Sequence, residues 1–581
     1  MVALAVEPQT RIEPADEVSE TIDSALELAW GALRSGETAQ ALEICEAVLA
    51  LRPGQPEALY LLVNLMHRAE RRLRARDLLE QAIATHPDPP PLWLAHRGLL
   101  LIELGEAHEA AAGCRAALAE RGDDPHLLCV LGLAYKAMGR SKAAVAALQR
   151  AASRPDCEPS VHGELARVLM AEGRPQDAVT AYATALHRGR QPMQGRHVGA
   201  YRTAAVRDWC TRRSAPYRTV IAAGIGRTFR PRYADLPGPC EPVPLPQPEV
   251  YLAEIPEASV IGGLEAVLTD DAAALLDVAF RPGSERFDLA QPAMPFADRH
   301  GVLIDAPAIS AEPIEAGILL QAPGGTNYYH WVVEHLSRLL VLELAGVPAE
   351  VPLLLHASVL AVPQLVDALR AVDVAGRRVV ALDPGVEYNV HRLLVPGALS
   401  WAASNLRDHV QLDVGDNLVA GEAVDFLRSR LAPAGRPDRG RRRLYVARRA
   451  RTAAFRLVNE EAVRAVFVDL GFEVVAPETM TFDEQRALFA DAAVVAGETG
   501  AALTNMLFAP AATTLICLQA EEWPMNVYAD LVGHAGQPSV FIAGTIESER
   551  PPKPYQVRFS IDTERLRGRL DRILETPGCA S

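Results

Sequence analysis

No stretch of the 581-residue chain approaches about 18 uninterrupted apolar residues, so no membrane-spanning helix is expected. The first eight residues, Met-Val-Ala-Leu-Ala-Val-Glu-Pro, lack a basic start and hold only a stub of apolar residues, so no secretory signal is expected either. Eight cysteines are scattered from Cys45 to Cys579, and none forms a Cys-x-x-Cys pair. That spacing argues against a disulfide framework or a zinc site, and fits reduced, packed thiols in a cytoplasmic setting. A basic excess is also missing. The formal charge of −15 excludes a general nucleic-acid binder, which needs a dominant positive face. There is no Asp-x-Asp anywhere. What remains is an ordinary globular composition, 49% hydrophobic and 23% charged, in a chain long enough for several cores.

The first third is periodic. Ala41, Ala75, Ala110, Ala144 and Ala178 recur every 34 or 35 residues, and each is followed four residues later by Cys45, Leu79, Cys114, Leu148 or Tyr182. Gly36, Gly105, Gly139 and Gly173 stand five residues before four of them, with Glu70 breaking the rule. The segment Leu131-Gly132-Leu133-Ala134-Tyr135 shows the companion first-helix pattern. This resembles the tetratricopeptide repeat over residues 22–190, in which small residues let paired helices approach closely. The resemblance implies an α solenoid with a concave surface, suited to a protein partner or self-association, or else an intramolecular brace.

From 191 to 248 the period fails. Residues 235–248 are proline-rich and read as an extended linker. Gly224-Ile225-Gly226 lacks the third glycine and following helix start of a dinucleotide loop, and is set aside. Beyond 249, short β-type runs alternate with helical patterns. The runs are Gly317–Leu320, Val351–Leu355, Arg378–Leu382 and Arg392–Val395, and the helical patterns are 327–345, 358–372 and 415–432. After a break at Leu431–Pro437 the alternation resumes, with strands at 444–446, 472–475, 493–496, 514–518 and 539–542. Such alternation predicts α/β architecture, here two Rossmann-like lobes at 249–432 and 438–581, with a ligand cleft between them at the strand ends.

Four clusters carry chemistry. In Asn327-Tyr328-Tyr329-His330-Trp331-Val332-Val333-Glu334, His330 and Glu334 lie one helical turn apart on one face, an arrangement suited to proton transfer. Nine arginines lie in 436–456 against one acid, Asp438. Those at 436–443 read as a solvated loop. Arg448 and Arg449 follow an apolar strand, where guanidinium forks suit a diphosphate. Gly497 to Asn505, including Thr499 and Gly500, follows a strand and opens a helix, a place where backbone N–H groups approach anions. Asn459, Glu478 and Gln485 lie at helix starts, where capping competes with a base or sugar contact.

Taken in order, Asn-Tyr-Tyr-His-Trp-x-x-Glu, Arg-Arg after a strand, Arg-x-x-Asn-Glu, Gly-Phe-x-Val-x-x-Pro-Glu, Phe-x-Glu-Gln and Gly-Ala-x-Leu-Thr-Asn-x-x-Phe resemble glycosyltransferase family 61 and the capsular-polysaccharide biosynthesis group over about residues 250–545. The resemblance implies an inverting, two-lobed GT-B transferase in surface polysaccharide assembly, cytoplasmic and peripheral at the inner membrane. It implies a nucleotide-sugar donor as substrate, no other cofactor, no metal, and a glycan acceptor. Arg448, Arg449, Asn459, Glu478, Gln485, Thr499, Gly500 and Asn505 would surround the donor. Asn327 and Tyr329 would touch the acceptor, with His330 and Glu334 catalytic. Relatives often carry His where Thr499 stands, so the phosphates here would fall to Thr499, Arg448 or backbone N–H groups. The competing expectation is a non-catalytic repeat scaffold with a degenerate transferase domain.

Overall fold

The computed structural model describes residues 15–35, 37–68, 71–321, 324–403, 405–407, 410–448, 456–521, 525–547 and 557–576. The chain divides into two compact units, 1–191 and 192–581.

Among the described residues of the first unit, ten α-helices run from Ala15–Ser35 to Pro175–Arg188 and pair consecutively. The periodic alanines sit on the second helix of each pair and are at most 1% exposed. A larger side chain there has no room. The same closeness holds at Gly132, where an added Cβ would stand 2.6 Å from Leu148 Cγ. Gly105, Gly139 and Gly173 take positive φ (+86°, +70° and +70°) in the turns inside pairs, which explains their fixed place before each alanine.

The second unit holds two sheets. The larger, with twelve strands among the described residues, follows the order 379–382, 353–356, 314–319, 386–396, 250–261, 267–268, 273–275, 197–204, 301–306, 296–297; strands 308–309 and 217–221 pair with 386–396 and 250–261. Its first four strands form a parallel set, and 308–309 also runs parallel to 386–396. From 250–261 onward the pairing is mostly antiparallel. Within the lobe expected at 249–432, the segment 314–396 thus contributes a parallel set and the rest belongs to a mixed sheet.

The linker expected at 191–248 is likewise corrected. His197–Ala204 is an interior strand of the large sheet, between 273–275 and 301–306. Gly224–Arg230 and Glu241–Gln247 pair as a hairpin. Pro242, Pro244 and Pro246 alternate along the second of these strands. The period of two puts their missing N–H groups on one edge, so proline-rich sequence can still form a ladder on the other. The hairpin straps onto the second sheet's lobe. Phe541 N–H donates to Arg232 O (2.8 Å), and the Gly533 backbone packs on the Phe229 ring.

Beneath the strap, Asp530 is fully buried. Its Oδ1 accepts hydrogen bonds from Thr228 Oγ1 (2.7 Å) and Phe229 N (2.5 Å), while Oδ2 has no partner among the described residues. Burial pushes its carboxyl up to about 7, against the hydrogen bonds that lower it. The folded state thus holds a proton that the unfolded chain releases near pH 4. The stability this site contributes is complete below that pH and is lost as pH rises to about 7. Asp530→Asn removes that loss. Melting temperatures of variant and wild type should draw apart in the variant's favour from pH 4 to pH 7; a constant gap would show that Asp530 is ionised in the fold.

The smaller sheet is ordered 473–475, 442–446, 492–498, 514–520, 539–546, 559–560, parallel except for the last strand. Numbered by chain position, the parallel strands read 2-1-3-4-5, so the topological switch point falls between 442–446 and 492–498. Open α/β sheets bind ligands at the carboxyl ends there. One apolar core joins the two lobes: Ile318 and Leu353 of the first sheet, Val332 and Leu336, Val424 and Leu427 of helix Gly421–Leu431, and Leu444 and Val495 of the second sheet. Each is fully buried, and each such side chain contributes about 1.5–3 kcal/mol.

Candidate active site

The segment 328–345 is helical, as its apolar spacing predicts, but it is not one α-helix. His330–His335 is a π-helical turn, Leu336–Arg338 a 3-10 turn, and Leu339–Ala345 α-helical. Single π turns concentrate at functional sites, because the wider turn re-aims side chains. Asn327 starts the segment as its cap, with Oδ1 accepting from Tyr329 N (2.9 Å). Trp331 anchors it by donating Nε1–H to Leu365 O (2.9 Å).

His330 Nδ1 and Glu334 Oε1 are 2.9 Å apart. Burial works to lower the imidazole pKa, but the charge and hydrogen bond of Glu334 outweigh it, so His330 is held above its ordinary value. Nδ1 is committed, which leaves Nε2 as the ring nitrogen without a hydrogen bond among the described residues. Glu334 also lines a small cavity together with Arg281, Arg338 and Trp401.

This helical segment packs on the opposite lobe through a polar chain. The Tyr328 hydroxyl donates to Asn505 Oδ1 (2.8 Å), Asn505 Nδ2 donates to Gln485 Oε1 (2.9 Å), and Gln485 Nε2 donates to Pro477 O (2.9 Å). Asn505 and Gln485 are 0% and 4% exposed, so they tie the lobes together and do not face a ligand. Tyr329 is also buried, its ring 5.9 Å from that of Tyr528. It packs the segment in place, and its hydroxyl is buried without a partner among the described residues. Asn327 remains exposed.

At the switch point, Arg448 follows the strand Arg442–Val446, and Thr499 and Gly500 follow Ala492–Glu498. Arg448 Nη2 donates to Thr499 O (2.8 Å), and Arg456 Nη2 donates to the same oxygen. Glu498 accepts from Arg456 Nε (2.9 Å) and lies 3.8 Å from Arg448 Nε. Two guanidiniums thus share one carboxylate and one carbonyl. Burial lowers the Arg456 pKa, with Arg448 adding to that effect and Glu498 opposing it. Arg456 opens the Arg-x-x-Asn-Glu motif, which gives no sign by itself that this arginine joins Arg448 at the switch point. The helix expected after Gly500 is a short 3-10 helix, Ala501–Leu507, so its terminal dipole is small and the guanidiniums dominate the local field. Gly500 is required by proximity: an added Cβ would lie 1.8 Å from Arg448 Nη2.

The remaining expected donor residues are not all brought together. Asn459 uses both ends of its amide on Ile561, donating Nδ2–H to its carbonyl (2.8 Å) and accepting from its N–H (3.1 Å), and so clamps the strand at 559–560. Glu478 is exposed in a 3-10 turn after the strand Glu473–Val475. Arg449 lies outside the described residues. Of the other island arginines, Arg436 donates to the Phe508 and Ala509 carbonyls, and Arg441 and Arg442 pair with Asp491 and Glu473. These are structural contacts, and Arg442 and Arg443 open the strand Arg442–Val446, so the solvated loop expected at 436–443 is corrected there.

Residues 328–516 match the family model Glycosyltransferase 61, and residues 32–98 and 125–155 match two tetratricopeptide repeat models. Among solved structures, the chain is similar to MamA 41-end from Desulfovibrio magneticus RS-1 (18% identity, 29% of this chain and 95% of that one, TM-score 0.25). It is also similar to a thermophilic TPR protein in Thermus thermophilus (23%, 30% and 94%, TM-score 0.27) and to pilF of Pseudomonas aeruginosa (22%, 31% and 81%, TM-score 0.27). No curated protein matches the chain. The chain carries a glycosyltransferase family 61 domain behind an N-terminal tetratricopeptide repeat array, and it is a glycosyltransferase.

Proposed function

We propose that the chain moves a sugar from a nucleotide-sugar donor to a glycan acceptor with inversion and without a metal ion, in surface polysaccharide assembly. One observation carries the reading: the segment bearing the His330–Glu334 pair packs, through Tyr328 and Asn505, on the helix that opens at Gly500. That packing supports a reading in which a base on this segment works opposite the guanidinium pair of the switch point, with the two lobes arranged as in a GT-B transferase. The acceptor hydroxyl attacks the anomeric carbon, and its proton passes to His330 Nε2. The bond from that carbon to the phosphate oxygen breaks on the opposite face, and the nucleoside diphosphate leaves with its charge met by Arg448 and Arg456.

The donor is the only small molecule the scheme needs. The repeat array serves a protein partner or a second copy of the chain through its groove of about 670 Å³, lined by Tyr60, Asn64, His96 and His126 among others. Among the described residues no helix is long and apolar enough to cross a membrane, and the scheme sets the enzyme in the cytoplasm beside the inner membrane.

A nucleotide panel tests the reading. UDP, GDP or CMP at about 100 times its Kd should stabilise the fold by roughly 2.7 kcal/mol. Donor turnover should survive EDTA. Loss of turnover restored by Mn²⁺ or Mg²⁺ would overturn the metal-free mechanism, and no melting shift with any nucleotide would favour the scaffold.

A further inference from the structure

The cavity beside Glu334 holds about 70 Å³. Pockets that enclose whole ligands run to about 300–1,000 Å³, so this one accommodates a substituent and not a sugar ring. Its walls are apolar at Leu276, Val278 and Phe287, and its polar groups are unevenly matched. Arg338 lies 3.3 Å from Glu265, and Glu334 is bound to His330. Arg281 has no such counterpart. Among the described residues its guanidinium makes no hydrogen bond or ion pair; it lies over the Trp401 ring with Cζ 4.6 Å from the centroid. Asp277 faces it too, but its two oxygens accept the Val206 N–H and the Tyr251 hydroxyl. Asp288 stands exposed at the rim, and Asp416 is bound to Arg286. Arg338 Nε is buried without a partner among the described residues. Burial lowers the Arg281 pKa, with Arg338 adding to the effect and Glu265, Glu334 and Asp277 opposing it, so the pocket's own carboxylates do not fully offset its desolvation.

We propose that Arg281, with Arg338 beside it, receives a carboxylate carried by the acceptor saccharide, making the acceptor an acidic, uronate-type glycan. The inference rests on the assignment of His330 and Glu334 to the acceptor side. The contact with Trp401 holds the guanidinium over the ring and leaves its N–H fork to meet two oxygens of one group. A single guanidinium fork without a hydrogen-bond partner among the described residues suits one planar two-oxygen group, and the carboxylates nearby disfavour a dianion, which favours a carboxylate over a phosphate. The contact also orients the sugar. With its carboxylate in the cavity, a neighbouring hydroxyl is held beside Glu334 and within the reach of His330.

The test titrates the full-length protein with methyl glucuronide, methyl glucoside and glucose 6-phosphate by saturation-transfer NMR, with the nucleotide panel run on the same samples. Methyl glucuronide should bind about tenfold or more tighter than methyl glucoside, the yield of charge-assisted hydrogen bonds. Arg281→Gln should level the two and leave the nucleotide melting shift intact, and Arg281→Lys should recover only part of the preference. Should Arg281→Gln fail to fold, the wild-type comparison and Arg281→Lys decide. Equal binding of the two glycosides, no binding of the glucuronide, a preference that persists in Arg281→Gln, or tighter binding of glucose 6-phosphate would each overturn the inference. A nucleotide shift with no glucuronide preference refutes the acidic acceptor alone. No nucleotide shift at all refutes the transferase scheme beneath it.

Discussion

His330→Ala lowers turnover by about 10²–10⁴-fold while the nucleotide-dependent melting shift persists, because the loss falls on proton transfer and not on donor binding. Glu334→Gln produces a loss of similar order by a different route. The carboxylate holds His330 Nδ1 at 2.9 Å, fixes the ring so that Nε2 is the nitrogen without a hydrogen bond among the described residues, and raises its proton affinity. The sign of the pH effect follows. With the folded pKa above its ordinary 6.5, the imidazole keeps its proton to higher pH, and a base must first lose it. The acidic limb of kcat/KM therefore lies above pH 6.5, and in Glu334→Gln it moves down. The same pair stabilises the fold in full below pH 6.5 and gives up that contribution as pH rises through the raised pKa. Near-wild-type turnover in both variants, or an acidic limb that stays put in Glu334→Gln, would remove His330 from the base's role.

Arg448→Met lowers kcat by about 10²–10³-fold, the cost of losing one preorganised donor at a site of developing negative charge. The effect concentrates on the diphosphate. UDP or GDP binding weakens by a larger factor than binding of the matching nucleoside. Gly500→Ala reproduces part of this without touching the arginine. Its Cβ would stand 1.8 Å from Arg448 Nη2, the far end of a flexible side chain, so the guanidinium moves and surrenders its bond to the Thr499 carbonyl. The backbone tolerates the change, since φ at Gly500 is an extended 176°. If Arg448→Met turns over normally and binds the diphosphate as tightly as wild type, the guanidinium pair serves the fold and not the leaving group.

Where the sequence could be read, it was read through burial. The alanines at 41, 75, 110, 144 and 178 are visible because each marks a helix crossing with no room for more. The strands from Arg442–Val446 to Ser539–Ile546 are visible because buried parallel strands are unbroken apolar runs. His330 and Glu334 are visible because four residues separate them, and the π turn keeps that pair in contact while leaving no trace in the apolar pattern. Long-range polar contacts are invisible. Nothing near Tyr328 foretells Asn505, 177 residues away. Asn459 does stand at a helix start, but its side chain caps nothing there and clamps Ile561 instead. Arg281 has no motif at all; only the fold sets it over Trp401 and beside Glu334. Proline density at 235–248 was misleading because its alternation suits a strand on one edge.

The interleaving of strands bears on how such an enzyme is inherited and engineered. The stretch that matches the family model, 328–516, omits Ile314–Leu319, which lies between 353–356 and 386–396 in one sheet. It also omits Ser539–Ile546, the neighbour of 514–520 in the other. His197–Ala204, far upstream of it, is an interior strand of the first sheet. The chemistry-bearing stretch is thus not a cassette. A gene fusion or transplant cut at its borders would sever both sheets, whereas the residues from 192 onward travel as one heritable block.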